Sequence, residues 1–258
     1  MNWAALDWTI LGPALMAGLL VLATHVPLGM EVLDRGIVFI DLAIAQVAGL
    51  GVIFAMAVGL PESGVWTQAA AVVAALLGAT LLTWTERRAP REQEALIGVL
   101  FVLASSVGIV LLASNPHGGE HLKDLLVGQI LWVNPTQLAW LTGITAVLVI
   151  AIFGGLVQRL GRFGFYGAFA VAVTASVQLV GVYLVFSSLI VPALATRFGA
   201  PKRRLVVAYA IGVVGYALGL ALSALFDLPS GAIVVCTLAA IAVVYAVLSP
   251  SRARETSS

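Results

Sequence analysis

Apolar runs, each about as long as a membrane is thick, follow one another along most of this chain. A helix needs about 20 mostly apolar residues to cross the hydrocarbon core. Such runs fall at 9–27, 37–59, 65–85, 95–113, 137–156, 204–225 and 230–248. Residues 165–197 form one more stretch, too long for one helix and short for two. It reads as two crossings, 165–181 and 182–197, or as one crossing plus a broken helix. The runs are too long for barrel strands of about ten residues. Because lipid cannot pair backbone groups, the spans must be helical. Only 10% of the 258 residues are charged and the mean hydropathy is +1.09, outside the range of a soluble domain. The expectation is an all-α polytopic membrane protein of eight or nine transmembrane helices. Residues 1–258 would form a single transmembrane domain, since the loops are too short to hold a soluble one.

The distribution of charge sets the orientation. Arg35, Arg87, Arg88, Arg91, Arg159, Arg162, Arg197, Lys202, Arg203, Arg204, Arg252 and Arg254 fall on one side if there are nine spans, and only Lys123 falls on the other. The positive-inside rule then marks the twelve as cytoplasmic. The N-terminus is extracytoplasmic and the C-terminus cytoplasmic. With eight spans the basic loops split between the two sides, so charge favours nine. The start "MNWAALDW" has no basic region, so the first run reads as a retained span rather than a cleaved signal. Cys236 is the single cysteine, which excludes a disulfide framework and a thiolate metal site. The chain contains no GxxxxGK[ST] phosphate loop, so it cannot be its own motor. No nucleophile–base pair is visible, so it reads as no enzyme, and nothing points to nucleic acid.

Polar groups within spans are costly in lipid, and each is a functional candidate. Asp41 reads as a path or gating residue, or as a buried acid bonded to a neighbouring helix. Gln46, five residues on and about 140° around the helix, need not share its face. It reads as path-lining or as a bond between helices, and Gln178 does too. His25 is either a ligand or a packed imidazole near Glu31 and Asp34. Glu94 suits the interface, and Ser105 and Ser106 suit bonds back to helix carbonyls.

The loop "SNPHGGEHLKD" (114–124) stands apart. His117, Glu120 and His121 have the spacing that lets side chains share one helical face and hold a divalent ion. They would form an outer metal site, or they are ordinary residues of a solvated loop. The piece "LLVGQILWV" (125–133) is too short to span and should lie at the outer surface or dip in and return.

Five stretches in order resemble the permease subunits of ABC transporters that import zinc and manganese. They are "PLGMEVLDRGIVFIDLAIAQVAGLG", "EALIGVLFVLASSVGIVLLAS", "LLVGQILWVNPTQL", "VFSSLIVPALATRF" and "LSALFDLPSGAIVVC". The resemblance implies a homodimer of two permease copies in the lipid of a bacterial-type cytoplasmic membrane. It also implies a separate ATP-binding subunit below and an extracytoplasmic metal-binding protein above. The metal is then transported substrate, and the chain holds no cofactor of its own.

Two departures stand out. The family's second span reads Gly-Asp-Ala-Leu-x-His-Ala, whereas Asp41 to Val47 place the acid one residue early and Gln46 where the histidine belongs. The family's longer cytoplasmic stretch after the fifth span is here only "VQRLGRFGF" (157–165). Coupling to an ATPase would then fall to Arg159 and Arg162, helped by Arg197 and Lys202. The competing expectations are a permease of the same fold for another small substrate, and a secondary transporter. The latter should show inverted repeats, and none is clear.

Overall fold

A computed structural model of the chain describes residues 7–60, 64–112 and 128–248. Ten α-helices follow in order: α1 Trp8–Arg35, α2 Ile40–Ala57, α3 Val65–Arg88, α4 Gln93–Leu112, α5 Pro135–Phe153, α6 Leu156–Arg159, α7 Gly161–Val180, α8 Val182–Ala195, α9 Pro201–Phe226 and α10 Ser230–Leu248. Short 3-10 turns at Pro90–Glu92 and Ile130–Trp132 precede α4 and α5. Among the described residues there is no strand. Eight of the helices are long and apolar enough to cross a membrane, and α8 is apolar but shorter.

Local chemistry sets the helix ends. The side chain of Asp7 caps α1 by accepting from the Thr9 N–H at 2.8 Å. That bond, with a second from the Thr9 hydroxyl, holds the Asp7 carboxyl below its ordinary pKa. Gly36 ends α1 in the left-handed region (φ 72°), returning its N–H to carbonyls of the last turn. Asn134 and Gln137 form a capping box at the start of α5, with Pro135 in the first turn.

Inside the bundle, most hydroxyls bond to carbonyls of their own helix. Thr83 reaches Ala79, Ser176 reaches Ala172 and Ser188 reaches Leu184. Pro27 within α1 cannot donate to the Ala23 carbonyl. That oxygen instead accepts the Tyr209 hydroxyl of α9 at 2.9 Å. A backbone acceptor orphaned in lipid is thereby satisfied from a neighbouring helix.

The doubtful stretch 165–197 resolves into α7 and α8, separated by Gly181 alone (φ 81°, ψ 160°). Both ends of this pair lie at the end of the bundle marked by Arg35. Arg162, at the start of α7, meets Glu86 near the end of α3, and Glu86 meets Arg35. Arg204, in the first turn of α9, which follows α8 after a short loop, meets Asp34. The middle of the pair lies at the opposite end: Gln178 bonds Gln68, and Gln68 is 18 residues, about 27 Å, along α3 from Glu86. The chain therefore goes out along α7 and returns along α8, giving nine passages among the described residues. The close approach of Gly29 to the Leu189 backbone seats α8 against the lower half of α1. The loop expected at 157–165 is mostly helical, with α6 filling 156–159 and α7 starting at Gly161.

Candidate functional site

His25 sits within α1 and is fully buried. Its Nδ1 lies 2.9 Å from the Val21 carbonyl and 3.1 Å from the Thr24 hydroxyl, while its Nε2 is buried with no partner. The acids expected near it point elsewhere: Glu31 pairs with Arg35 and Asp34 with Arg204 at the basic end. Among the described residues the imidazole is therefore held through Nδ1 alone.

Asp41 lies in the first turn of α2, at the basic end, and is also fully buried. Among the described residues neither carboxylate oxygen has a hydrogen-bond partner. An ionised carboxylate left so is costly, by several kcal/mol, unless a cation or donor reaches it. The bond to a neighbouring helix considered from the sequence is not formed. Gln46 is half-buried, on a different face, as the 140° separation required. It continues the stripe of Leu42 by one turn. Leu42 and Phe39 line an apolar groove of about 610 Å³ against Ala95, Gly98, Val99 and Val102 of α4. Among the described residues the Gln46 amide has no hydrogen-bond partner. The acid and the amide are thus not brought together within one chain.

Gln178 is at the far end of α7, where its Oε1 accepts from Gln68 Nε2 and its own Nε2 is unpartnered. The sequence reading had passed over Gln68, whose only signal was a polar side chain in the first turn of a span. The segment 128–133 docks beside this pair: Gln129 donates its N–H to the Leu179 carbonyl at 3.2 Å. At Gly128 (φ 68°) an added Cβ would stand 2.2 Å from the Val180 carbonyl carbon, so only glycine permits the approach. This part of the short apolar piece lies at the end opposite Arg35, as a rim over the α7–α8 turn.

Charge gathers at the basic end. Glu86 meets Arg162 at 3.2 Å and Arg35 at 3.6 Å, and Arg35 also lies 4.3 Å over the Phe165 ring. Gln93 donates to the Leu82 carbonyl and to the Tyr166 hydroxyl, both at 3.0 Å. Glu94 accepts the Phe39 N–H at 3.2 Å, which fixes the entry to α2. Of the proposed coupling residues, Arg159, Arg162, Arg197 and Lys202 are all exposed, with Arg162 on Glu86 and Arg197 5.1 Å over the Phe198 ring. The sequence reading draws Arg87, Arg88 and Arg91 from "ERRAPRE" and passes over Glu86 beside them. Its signal was an acid set among arginines at the end of a span. Ser105, expected to bond its own helix, has a buried and unpartnered hydroxyl.

Among the described residues no group of three or more His, Cys, Asp or Glu side chains could hold a metal ion. The outer cluster His117, Glu120 and His121 lies outside the described residues.

Comparison with known proteins places this geometry in context. The ABC 3 transport family matches residues 7–158 and 151–249. The chain is 26% identical over 252 residues to the manganese transport system membrane protein MntC of Halalkalibacterium halodurans, covering 89% of this chain and 84% of that one. It is 27% identical over 256 residues to the high-affinity zinc uptake system membrane protein ZnuB of Haemophilus influenzae, covering 88% and 94%. The fold is similar to PsaBC from Streptococcus pneumoniae in complex with Fab, at TM-score 0.72 and 22% identity over 93% of this chain and 92% of that one.

Proposed function

Because the chain belongs to the ABC 3 transport family, we propose that it is the permease subunit of an importer moving a divalent transition metal, zinc or manganese, into the cytoplasm. The chain is an integral protein of a bacterial-type inner membrane, with eight helices able to span. A separate ATPase subunit supplies energy, an extracytoplasmic binding protein delivers the metal, and a second copy completes the path. The manganese and zinc systems named for its relatives support a metal cargo.

The path assignment rests on one observation above the others. The Gln46 amide, half-buried one turn beyond Leu42 of the apolar groove, has no hydrogen-bond partner among the described residues. Lipid cannot satisfy it. Water and cargo in a path between two copies can, and the second copy's equivalent stripe would form the opposite wall. Asp41, buried and unpartnered at the inner end of α2, is a carboxylate that a passing cation would compensate. His25 offers a free nitrogen within α1, and Gln178 lies at the outer end. His117, Glu120 and His121 would hold metal on its way in from the binding protein. Arg159, Arg162, Arg197 and Lys202 would face the ATPase.

One observation favours a second reading, a permease of this fold for another small substrate. Gln46 replaces an imidazole with a weaker ligand, and no described cluster has three metal-ligating side chains. A single isolation discriminates. Tagged chain extracted in mild detergent should bring with it a phosphate-loop ATPase subunit and a second, untagged copy, and should retain zinc or manganese. Recovery as a lone monomer without an ATPase contradicts the ABC reading. Recovery of the intact complex with no metal affinity favours the second.

A further inference from the structure

We propose that Glu86 is the positioning residue that ties the short basic helix α6 and the start of α7 to α1, and so passes ATPase-driven movement of that corner into the bundle. This rests on the reading above that an ATPase works on this chain. One carboxylate serves two helices: its Oε2 is 3.2 Å from Arg162 Nε on α7, an ion pair without hydrogen-bond alignment, and its Oε1 is 3.6 Å from Arg35 Nη1 on α1. The Glu86 side chain is 15% exposed and Arg162 is 49% exposed. The hub is therefore sheltered, while the arm that reaches it stands half in the open where a partner subunit can touch it.

The corner is built to move as a unit. Gly155 (φ 78°) and Gly161 (φ 60°) bracket α6 in the left-handed region, where other residues are strained, so the chain turns at those two points. At Gly164 an added Cβ would stand 2.4 Å from the Val157 carbonyl oxygen, so α6 packs backbone-close on the first turn of α7. Pressure on α6 thus reaches Arg162 and the residues after it. Phe165, under Arg35, and Tyr166, bonded to Gln93 of α4, hold that turn by other means. Glu86 supplies the ionic tie to α3 and α1 at once. Glu31 also pairs with Arg35, at 2.8 Å, but from the same helix, so it cannot link helices.

The test uses the whole transporter in vesicles: permease, ATPase subunit and binding protein, with zinc and then manganese as probe. The readout is metal ions taken up per ATP hydrolysed, which a loss of folded protein alone does not move. Glu86→Gln is expected to lower that ratio roughly tenfold, a typical coupling between sites, while the ATPase subunit still co-purifies. Arg162→Gln, at a half-exposed position that folding tolerates, should show a similar deficit. The double variant should be no worse than either single. Glu31→Gln should keep the wild-type ratio. A wild-type ratio in Glu86→Gln, an equal fall in Glu31→Gln, or additive deficits in the double variant would overturn the proposal. The wild-type chain in the same vesicles reports on the underlying reading. Without ATP-driven uptake there, that reading fails and this proposal with it. With normal uptake there, an unaffected Glu86→Gln overturns this proposal alone.

Discussion

Two glycines of α1 should respond in opposite directions to the same substitution. At Gly29 an added Cβ would stand 2.0 Å from the Leu189 carbonyl oxygen and 2.8 Å from its carbon. A carbon and a carbonyl oxygen in contact stand about 3.3 Å apart, so Gly29→Ala forces α1 and α8 apart by about 1.3 Å. Leu189 is fully buried and its contact atom is backbone, so no side chain can swing away. Overpacking of this kind costs about 1–3 kcal/mol, against about 1 kcal/mol that alanine returns through helix propensity. Gly12, near the other end of α1, has nothing within 4 Å of the added carbon. Gly12→Ala therefore keeps only the propensity gain. Unfolding of the purified permease in detergent, followed by circular dichroism on heating, reads the difference. Gly29→Ala should unfold several degrees lower than wild type and Gly12→Ala slightly higher. If Gly29→Ala matched or exceeded wild type, α8 would not lie against α1, and the nine-passage fold would lose its main packing support.

Other perturbations reach the remaining parts of the account. Asp41→Asn keeps the shape and removes the charge, so it should abolish uptake while leaving membrane expression and dimer assembly near normal; loss of the protein from the membrane would favour a purely structural acid. Tyr209→Phe orphans the Ala23 carbonyl freed by Pro27 and should cost about 1–3 kcal/mol in the same melting assay; no change would show that oxygen to be satisfied otherwise. Single cysteines at Gly118 and Ala89, in a Cys236→Ser background, should react with an impermeant thiol reagent from opposite faces, and reaction from one face would refute the orientation. His117→Ala with His121→Ala should lower uptake at limiting metal and weaken metal binding to the purified permease. Because imidazole must be neutral to ligate, this deficit should narrow as pH falls below the ordinary imidazole value of about 6.5; unchanged uptake and binding would remove the outer site.

The spans were legible because lipid imposes a length that composition must meet, and eight runs meet it as single helices. The short α8, at 14 residues, does not. It was recovered only through the one-sided arginines, which require a return passage there. The break itself depends on the backbone angles of Gly181, and one glycine among many in apolar sequence carries no mark of that. Asp41 and Gln46 could be placed on different faces from spacing alone, since a helix fixes the angle between them. What each face meets could not, because that depends on which helices pack beside α2. The same limit hid Glu86 and Gln68. Their partners are 51 or more residues away in sequence, and only the fold brings Arg35, Arg162 and Gln178 to them. Tyr209, 186 residues from Ala23, is the extreme case. Pro27 announces a carbonyl without a donor but not the helix that supplies one.

As proposed, this chain is the membrane path of an ATP-driven metal importer. Reconstitution tests it most directly: permease and its ATPase subunit in sealed vesicles, binding protein loaded with zinc or manganese outside, ATP inside, and no ion gradient. Metal should accumulate only when ATP, the ATPase and the binding protein are present together, and should do so even when a protonophore collapses any proton gradient. Accumulation by the chain alone, driven by an imposed ion gradient and indifferent to ATP, would contradict the proposal.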